Sequence, residues 1–365
     1  MKIVVTGTRG IPGIQGGVET HCEELYPRIA AMGHDVTVIC RSSYLSANHP
    51  DTFKGVRLLP VFAPRIKSLE AIVHTFLSVI RARTLNPDIL HIHAVGPSLM
   101  VPLARLLGMR VVTTNHGPDY DRQKWGRAAR LMLRTGERMG ARFSNRVIVI
   151  SKVIARILAD NYGRRDTDLI FNGVNRPVKS SVTDYIKSVG LTPGRYVVAL
   201  GRFVREKGFD DLIAAWTRLA PRHGWRLVIA GDADHPDAYS RDLKARAAAA
   251  GVVLTGFIKG ERLNQLMTNA AVFAMPSYHE GLPIALLEAM SYGLDVAVSD
   301  IPANRLDVLD SDDFFATGDV GALAEILRRK MDAGRRNRVY DLSAYDWDII
   351  ARRTLDVYRR VLVHR

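Results

Sequence analysis

Glu280 and Glu288 stand eight residues apart in Tyr278-His279-Glu280-Gly281-Leu282-Pro283-Ile284-Ala285-Leu286-Leu287-Glu288-Ala289-Met290. Pro283 fits the first turn of a helix, where its missing N–H costs nothing, so the spacing puts Glu280 on the loop before that helix and Glu288 more than a turn along it. Gly281, Leu282 and Pro283 then form the entry to the helix. Backbone N–H groups at a helix start favour an anion such as a diphosphate, and carboxylates accept hydrogen bonds from sugar hydroxyls. A nucleotide sugar offers both. Taken alone, the same residues also read as a loop carboxylate and a solvated helix residue.

Further up the chain, Gly201-Arg202-Phe203-Val204-Arg205-Glu206-Lys207-Gly208 follows the apolar run Tyr196 to Leu200, which reads as a buried strand. In doubly wound sheets the ligand crevice lies at the carboxyl ends of strands. Arg202 and Lys207 are therefore placed to neutralise a diphosphate, with surface charge on a turn as the plain reading.

The elements around these residues are α/β in pattern. Lys2 to Thr6, Val36 to Cys40, Ile89 to Ile92, Val111 to Thr114 and Val147 to Ile150 are short β-rich runs separated by helix-length segments. After the Gly/Pro/Asn cluster Asn172 to Pro177 the pattern restarts, with Tyr196 to Leu200, Arg226 to Ala230, Val252 to Leu254, Val272 to Met275 and Val296 to Ser299. Strands alternating with helices predict parallel sheets, and the cluster reads as a linker between two domains. A chain of 365 residues, 47% of them hydrophobic, is long enough for two full cores. The expected division is 1–176, 177–346 and a terminal helix over 347–365.

On Gly201 to Gly208 and Glu280 to Glu288 the chain resembles the GT4 family of retaining glycosyltransferases (glycosyl transferases group 1), whose carboxy-terminal half carries a GRxxxxKG and an E-x7-E element. The resemblance covers nearly the whole chain. It implies a GT-B fold, two Rossmann-like domains facing a central cleft: an acceptor-side first domain, a nucleotide-sugar-binding second domain, and a terminal helix crossing back to the first. Arg202 and Lys207 would hold the donor diphosphate, Glu280 the sugar hydroxyls and Glu288 the ribose. Gly16 and Gly17 would let main chain approach the donor, and His116 would contact the donor sugar at the reaction centre. The implied activity is metal-independent hexosyl transfer, with no cofactor beyond the nucleotide-diphosphate sugar. The acceptor would be a glycan or lipid-linked intermediate of polysaccharide or lipopolysaccharide assembly. Two residues depart from the family pattern, Asp295 where proline is usual and Leu306 where glutamate is frequent, and both are expected near the diphosphate loop.

A non-catalytic basic binding protein and two other activities are weighed beside it. One is a non-hydrolysing nucleotide-sugar epimerase of the same fold. The other is an NADP-dependent short-chain reductase, suggested by glycines after the first strand, by Arg41 and by Tyr120-Asp121-Arg122-Gln123-Lys124. Against the reductase, the glycine run extends to Gly16 and Gly17, Pro118 precedes the YxxxK match, and the second half repeats the α/β pattern. Asp232 and Asp234 imitate a DxD metal motif but follow a strand of a domain where cations do that work, so they read as a loop that caps the next helix or borders the base. His91 and His93 share a strand face, and with no third ligand evident they read as structural.

Net charge is +14, with 25 Lys and Arg against 13 Asp and Glu in residues 1–176 and 26 against 24 in the remainder. Arg127, Arg130, Arg134, Arg138 and Arg142 recur at helical spacing, with Trp125, Leu131, Met132 and Met139 beside them. That stripe suits an anionic membrane surface or a lipid-diphosphate acceptor, with a merely solvated basic helix as the plain reading. No RNA-binding motif accompanies it, and no nucleic-acid partner is expected. Ile66 to Arg83 carries Leu69, Ile72, Val73, Phe76, Leu77 and Ile80 at helical spacing between Lys67, Arg81 and Arg83, and reads as a helix packed on the sheet, with peripheral membrane contact as the alternative. The two cysteines, Cys22 and Cys40, argue against a disulfide framework. With Met1 leading straight into a strand and no run long enough to span a bilayer, the expected location is cytoplasmic, peripheral at the inner membrane face.

Overall fold

The computed structural model describes residues 1–45, 49–64, 70–118, 120, 126–220, 223–233 and 236–363. They fall into two units, Met1–Gly173 with Ala344–Arg365, and Val174–Ser343.

The first unit holds strands β1 (Lys2–Thr6), β2 (Asp35–Arg41), β3 (Thr52–Phe53), β4 (Val56–Val61), β5 (Ile89–His93), β6 (Val111–Asn115), β7 (Arg146–Val149) and β8 (Asp168–Leu169). Among the described residues they form one sheet of order β3-β4-β2-β1-β5-β6-β7-β8, parallel except for β3 against β4. Its helices are α1 (Gly17–Ala31), α2 (Glu70–Leu85), α3 (Val101–Leu106), α4 (Arg127–Phe143) and α5 (Lys152–Tyr162). Alternate residues of β1 serve opposite faces. Ile3 and Val5 pack with Leu25, Tyr26 and Ile29 of α1 and with Ile350, Leu355 and Tyr358 near the carboxyl terminus. Val4 packs with Val79 and Ala82 of α2 and with Val101 and Ala104 of α3. Burial on both faces explains why these strands are continuous apolar runs, and each fully buried Leu or Ile contributes about 1.5–3 kcal/mol.

The second unit contains α6 (Asp184–Ser188), β9 (Tyr196–Leu200), α7 (Phe209–Arg218), β10 (Arg226–Ala230), α8 (Ala238–Ala249), β11 (Val253–Gly256), α9 (Glu261–Asn269), β12 (Val272–Met275), α10 (Ile284–Ser291), β13 (Asp295–Ser299), β14 (Phe314–Phe315) and α11 (Val320–Asp332). Its sheet is parallel, of order β11-β10-β9-β12-β13-β14. The last helix, α12 (Trp347–Val363), packs on α1 in the first unit. Strand order reverses between β1 and β5 in one sheet and between β9 and β12 in the other, which makes the loops after those four strands the natural ligand-binding positions.

Two expectations change, on α2 and at Asp295, and Leu306 gains a reason. The stripe on α2 is not its core face: His74, Thr75, Ser78, Val79 and Ala82 are buried while Phe76 and Ile80 are exposed. Polar side chains occupy the inner face because they bond along the helix, Thr75 Oγ1 to the Ala71 carbonyl and Ser78 Oγ to the His74 carbonyl. Ile66, Lys67 and Leu69 of that stretch lie outside the described residues. Asp295 lies at the amino end of β13, away from the loops at the carboxyl ends. There it is 2% exposed and accepts from Lys330 at 2.7 Å and Arg338 at 3.3 Å, with Asp313 bonded to the same two cations. An aspartate replaces the usual proline because this strand start anchors the buried Lys330 and the half-buried Arg338. Leu306 is buried on the turn after β13, its N–H donating to the Asn304 carbonyl, so it fills core where a glutamate would need a partner.

Candidate functional site

In the second unit Arg202 follows Gly201 directly off β9, and Lys207 closes a short 3-10 turn, Arg205–Lys207. Gly208 next to it has φ 63°, and a Cβ there would stand 2.2 Å from the Pro276 carbonyl oxygen, so the loop after β9 lies hard against the loop after β12. Tyr278 N–H donates to the Glu206 carbonyl at 2.8 Å across the same contact. Lys207 Nζ donates to Glu280 Oε1 at 2.5 Å and Ser277 Oγ donates to the same oxygen at 2.7 Å. Ser277 is held from behind, its carbonyl accepting from Ser299 Oγ at 2.5 Å, while Asn304 Nδ2 donates to the Ser299 carbonyl at 2.9 Å. Three loops thus fix one half-buried carboxylate and one half-buried ammonium at the reversal of strand order.

Pro283 is the N-cap of α10, not a first-turn residue, with φ −78° and ψ 110°. The shift by one position frees its carbonyl to accept from the Leu286 and Leu287 N–H groups. Gly281 is half-buried, Leu282 and Pro283 are buried, and Glu288 is half-buried on α10 four residues after its first residue.

In the first unit the two glycines differ. Gly16 has φ 152°, and a Cβ on it would meet Glu19 Oε2 at 2.0 Å and Arg9 Nη2 at 2.5 Å; a Cβ on Gly17 would meet nothing within 4 Å. Glu19 accepts from the Arg9 backbone N–H at 3.0 Å and from the Arg9 side chain at 3.2 Å. Burial would raise the Glu19 pKa, but the Arg9 charge and hydrogen bonds outweigh it and lower it. Gly16 therefore serves this clamp, and Gly17 keeps space open.

His116 follows β6. Its Nε2 is 2.9 Å from Nδ1 of His93, the last residue of β5, and the His21 ring meets its ring edge-on at 5.0 Å. Burial first, then the neighbouring His91, pushes the His116 pKa down to about 3, so the imidazole is neutral at physiological pH. His21 is pushed to about 3 by burial and by His116, and burial takes His93 well below its ordinary value. The preceding residue, Asn115, is fixed by Glu137 Oε1 at 2.9 Å and accepts from the Gly117 N–H at 2.9 Å.

Residues 15–176 match the model of the family described as Glycosyltransferase Family 4, and residues 194–332 that of Glycosyl transferases group 1. The chain belongs to the family 4 glycosyltransferases. The transferase is 29% identical to the GDP-mannose:cellobiosyl-diphosphopolyprenol alpha-mannosyltransferase of Xanthomonas oryzae pv. oryzae, over 88% of this chain and 85% of that one. It is also 29% identical to the 2-deoxystreptamine N-acetyl-D-glucosaminyltransferase of Streptomyces fradiae, over 77% and 71%. Its fold is GT-B: sucrose-phosphate synthase from Thermosynechococcus elongatus superposes with a TM-score of 0.79 at 20% identity, over 100% and 99% of the two chains. HepE of Anabaena, solved in complex with UDP, superposes at 0.74 with 18% identity, over 99% and 100%.

The decoys in the transferase resolve into structural roles. Tyr120 OH donates to Glu137 Oε2 at 2.8 Å, as Tyr162 OH does at 2.9 Å, so the tyrosine of the reductase-like match holds a buried carboxylate. Lys124, with Asp121, Arg122, Gln123 and Trp125, lies outside the described residues. Asp232 pairs with Lys244 at 2.8 Å, and α8 is capped by Asp237, not by Asp232; Asp234 is outside the described residues. The third histidine missing from the sequence reading is present, because ligand-capable atoms of His21, His93 and His116 all lie within 4.8 Å of one another. His91 is not in that trio. Sequence reasoning missed His21, Tyr26, Glu137 and Ser277. Only His21, four residues after Gly17, carried a signal that could have found it.

Proposed function

We propose that the transferase moves a sugar from a nucleotide-diphosphate sugar to a hydroxyl of a glycan or lipid-linked acceptor with retention of anomeric configuration and without a metal. The observation that carries the reading is the Lys207–Glu280 pair at the strand-order reversal of the second unit, beside Arg202. Arg202 and Lys207 would bind the donor diphosphate and stabilise its charge as it leaves, with the main chain at Gly281, Leu282 and Pro283 on the same anion. Glu280 would accept from sugar hydroxyls and Glu288 from the ribose. Gly17 leaves room for the donor beside the first glycine loop, with Gly16 shaping that loop, and His116 is assigned to the transferred sugar as a neutral hydrogen-bonding group.

With no side chain singled out as a covalent nucleophile, the step is a front-face substitution. The anomeric C–O bond to the phosphate breaks, the acceptor oxygen bonds to the same face, and the acceptor's proton passes to the departing phosphate oxygen. A polyprenol-linked acceptor is favoured by the mannosyltransferase relatives, whose names specify a cellobiosyl-diphosphopolyprenol. An anionic membrane surface for the first unit is favoured by the exposed arginines of α4 and by exposed Phe76 and Ile80 on α2; α3 touches both helices.

The test is transfer from a panel of nucleotide sugars to a polyprenyl-diphosphate-linked sugar in excess EDTA, with the new linkage read by NMR. The expected product keeps the donor's anomeric configuration. An inverted linkage, or transfer that requires a divalent cation, would refute the mechanism.

A further inference from the structure

Behind His116 the first unit contains an unbroken run of buried hydrogen-bonding side chains that the proposed reaction does not use. His93 Nδ1 is 2.9 Å from His116 Nε2, and His93 Nε2 is 2.5 Å from the Tyr26 hydroxyl of α1. The Tyr358 hydroxyl of α12 is 2.6 Å from His91 Nδ1. Tyr26 also approaches that nitrogen, at 2.9 Å. His91 Nε2 is 2.7 Å from Thr114 Oγ1 at the other end. Tyr26, His91, His93 and Tyr358 have no measurable solvent exposure.

A neutral imidazole has one N–H and one bare nitrogen, and a hydroxyl donates once. Such a chain must therefore run head to tail, and its sense at one end dictates its sense at the other. If it ran from His116 inward, Tyr26 and Tyr358 would compete for the one bare nitrogen of His91, Nδ1, while His91 Nε2–H would donate to Thr114, whose own buried proton has no acceptor among the described residues. Running outward leaves fewer donors unspent: Thr114 donates to His91 Nε2, His91 Nδ1–H to the Tyr26 and Tyr358 hydroxyls, Tyr26 to His93 Nε2, and His93 Nδ1–H to His116 Nε2. A buried donor left unspent costs about 1–3 kcal/mol, so the outward sense is favoured. His116 then carries its own proton on Nδ1, the nitrogen outside the chain.

We propose that Tyr26 and His93 are positioning residues that lock His116 as its Nδ1–H tautomer, making it a hydrogen-bond donor to an oxygen of the transferred sugar. This rests on the assignment of His116 to that sugar and adds the direction of its hydrogen bond and the residues that set it. The same geometry weighs against reading His21, His93 and His116 as a metal site, because both ring nitrogens of His93 are already engaged, Nδ1 by His116 and Nε2 by Tyr26.

Tautomers of histidine are read directly by long-range 1H–15N NMR of the histidine-labelled full chain. His116 is expected as a single Nδ1–H tautomer, turning into a mixture in Tyr26→Phe; an Nε2–H signal in the native protein overturns the proposal whatever the variants do. In transfer assays Tyr26→Phe and His93→Phe are expected to lower kcat about tenfold with the donor KM within about twofold, the loss of one hydrogen bond in the transition state. His93→Asn, whose amide can still donate to His116, is expected to recover part of that loss. Unchanged kcat in Tyr26→Phe and His93→Phe, with His116→Ala impaired, would refute the positioning role alone. Full activity in His116→Ala would refute the sugar assignment instead. Inactivation by a chelator with rescue by zinc would make the trio a metal site and overturn the chain.

Discussion

At the scale of single residues, the site is defined by which atoms are already spoken for. Glu280 Oε1 holds both Lys207 and Ser277, and the Lys207 stem packs over Gly201, where a Cβ would stand 3.3 Å from its Cε. The two glycines of the amino-terminal loop give the sharper contrast, since they are adjacent and chemically identical. A methyl on Gly16 would occupy the space of Glu19 and Arg9 in a backbone conformation that side chains rarely adopt, whereas a methyl on Gly17 meets nothing within 4 Å. Gly16→Ala is expected to destabilise the first unit by about 1–3 kcal/mol in urea unfolding. Gly17→Ala should leave that transition within about 0.5 kcal/mol while raising the donor KM. Equal stability of the two variants would contradict the assignment of Gly16 to the Arg9–Glu19 clamp.

At the scale of elements, α4 shows how one helix can serve two surroundings. Gly136 sits so close to the loop after β5 that a Cβ would stand 2.2 Å from the Val95 carbonyl oxygen, and Glu137 on the same side collects Asn115, Tyr120 and Tyr162. The opposite side exposes Arg127, Arg130, Leu131, Arg134, Arg138 and Arg142. Each arginine near an anionic bilayer is worth about 1 kcal/mol. Replacing Arg127, Arg130, Arg134 and Arg138 with Gln should weaken sedimentation with phosphatidylglycerol vesicles by about two to three orders of magnitude. Binding that neither these changes nor added salt weakens would remove α4 from the membrane surface. The helix spacing of the arginines was legible in the chain because nothing buried interrupts it. The parallel strands were legible for the related reason that burial on both faces leaves only apolar residues. Strand β4 was not, since Pro60 argues against a strand; it is tolerated because β3 pairs only with Val56 and Arg57, leaving β4 an edge beyond them. The face of α2 was misread because internal hydrogen bonds let threonine and serine be buried while Phe76 is not. In the site, the cations and carboxylates announced themselves by spacing, but Ser277, Tyr26 and Glu137 act through contacts between segments far apart in sequence, which periodicity cannot carry.

At the scale of the whole molecule, the buried histidines tie stability to pH. Burial pushes His21, His91 and His116 down to about 3 and His74 to about 4, all from an ordinary value of 6.5. Below pH 6.5 the unfolded chain takes up protons that the folded chain refuses. Stability from these groups is therefore complete above 6.5 and declines as pH falls toward 3–4, at a limiting rate of about 1.4 kcal/mol per pH unit for each histidine. All four lie in the first unit. Calorimetry should show the transition of that unit level above pH 6.5 and falling steeply between pH 6 and pH 4, and a pH-independent transition over that lower range would contradict burial of the neutral cluster. The excess of positive charge lies in the same part of the chain. Vesicle binding and acid stability should therefore both be read on the first unit.

The most direct test of the central claim, that Arg202 and Lys207 hold the diphosphate of a nucleotide-sugar donor, is calorimetric titration of UDP, GDP, dTDP, ADP and NADP in EDTA. It would be run on the native transferase and on Lys207→Ala. One nucleoside diphosphate should bind the native protein, and the variant should lose about 10- to 150-fold in affinity, the loss of one charge-assisted hydrogen bond. Equal affinity in the variant, or binding of NADP alone, would contradict it.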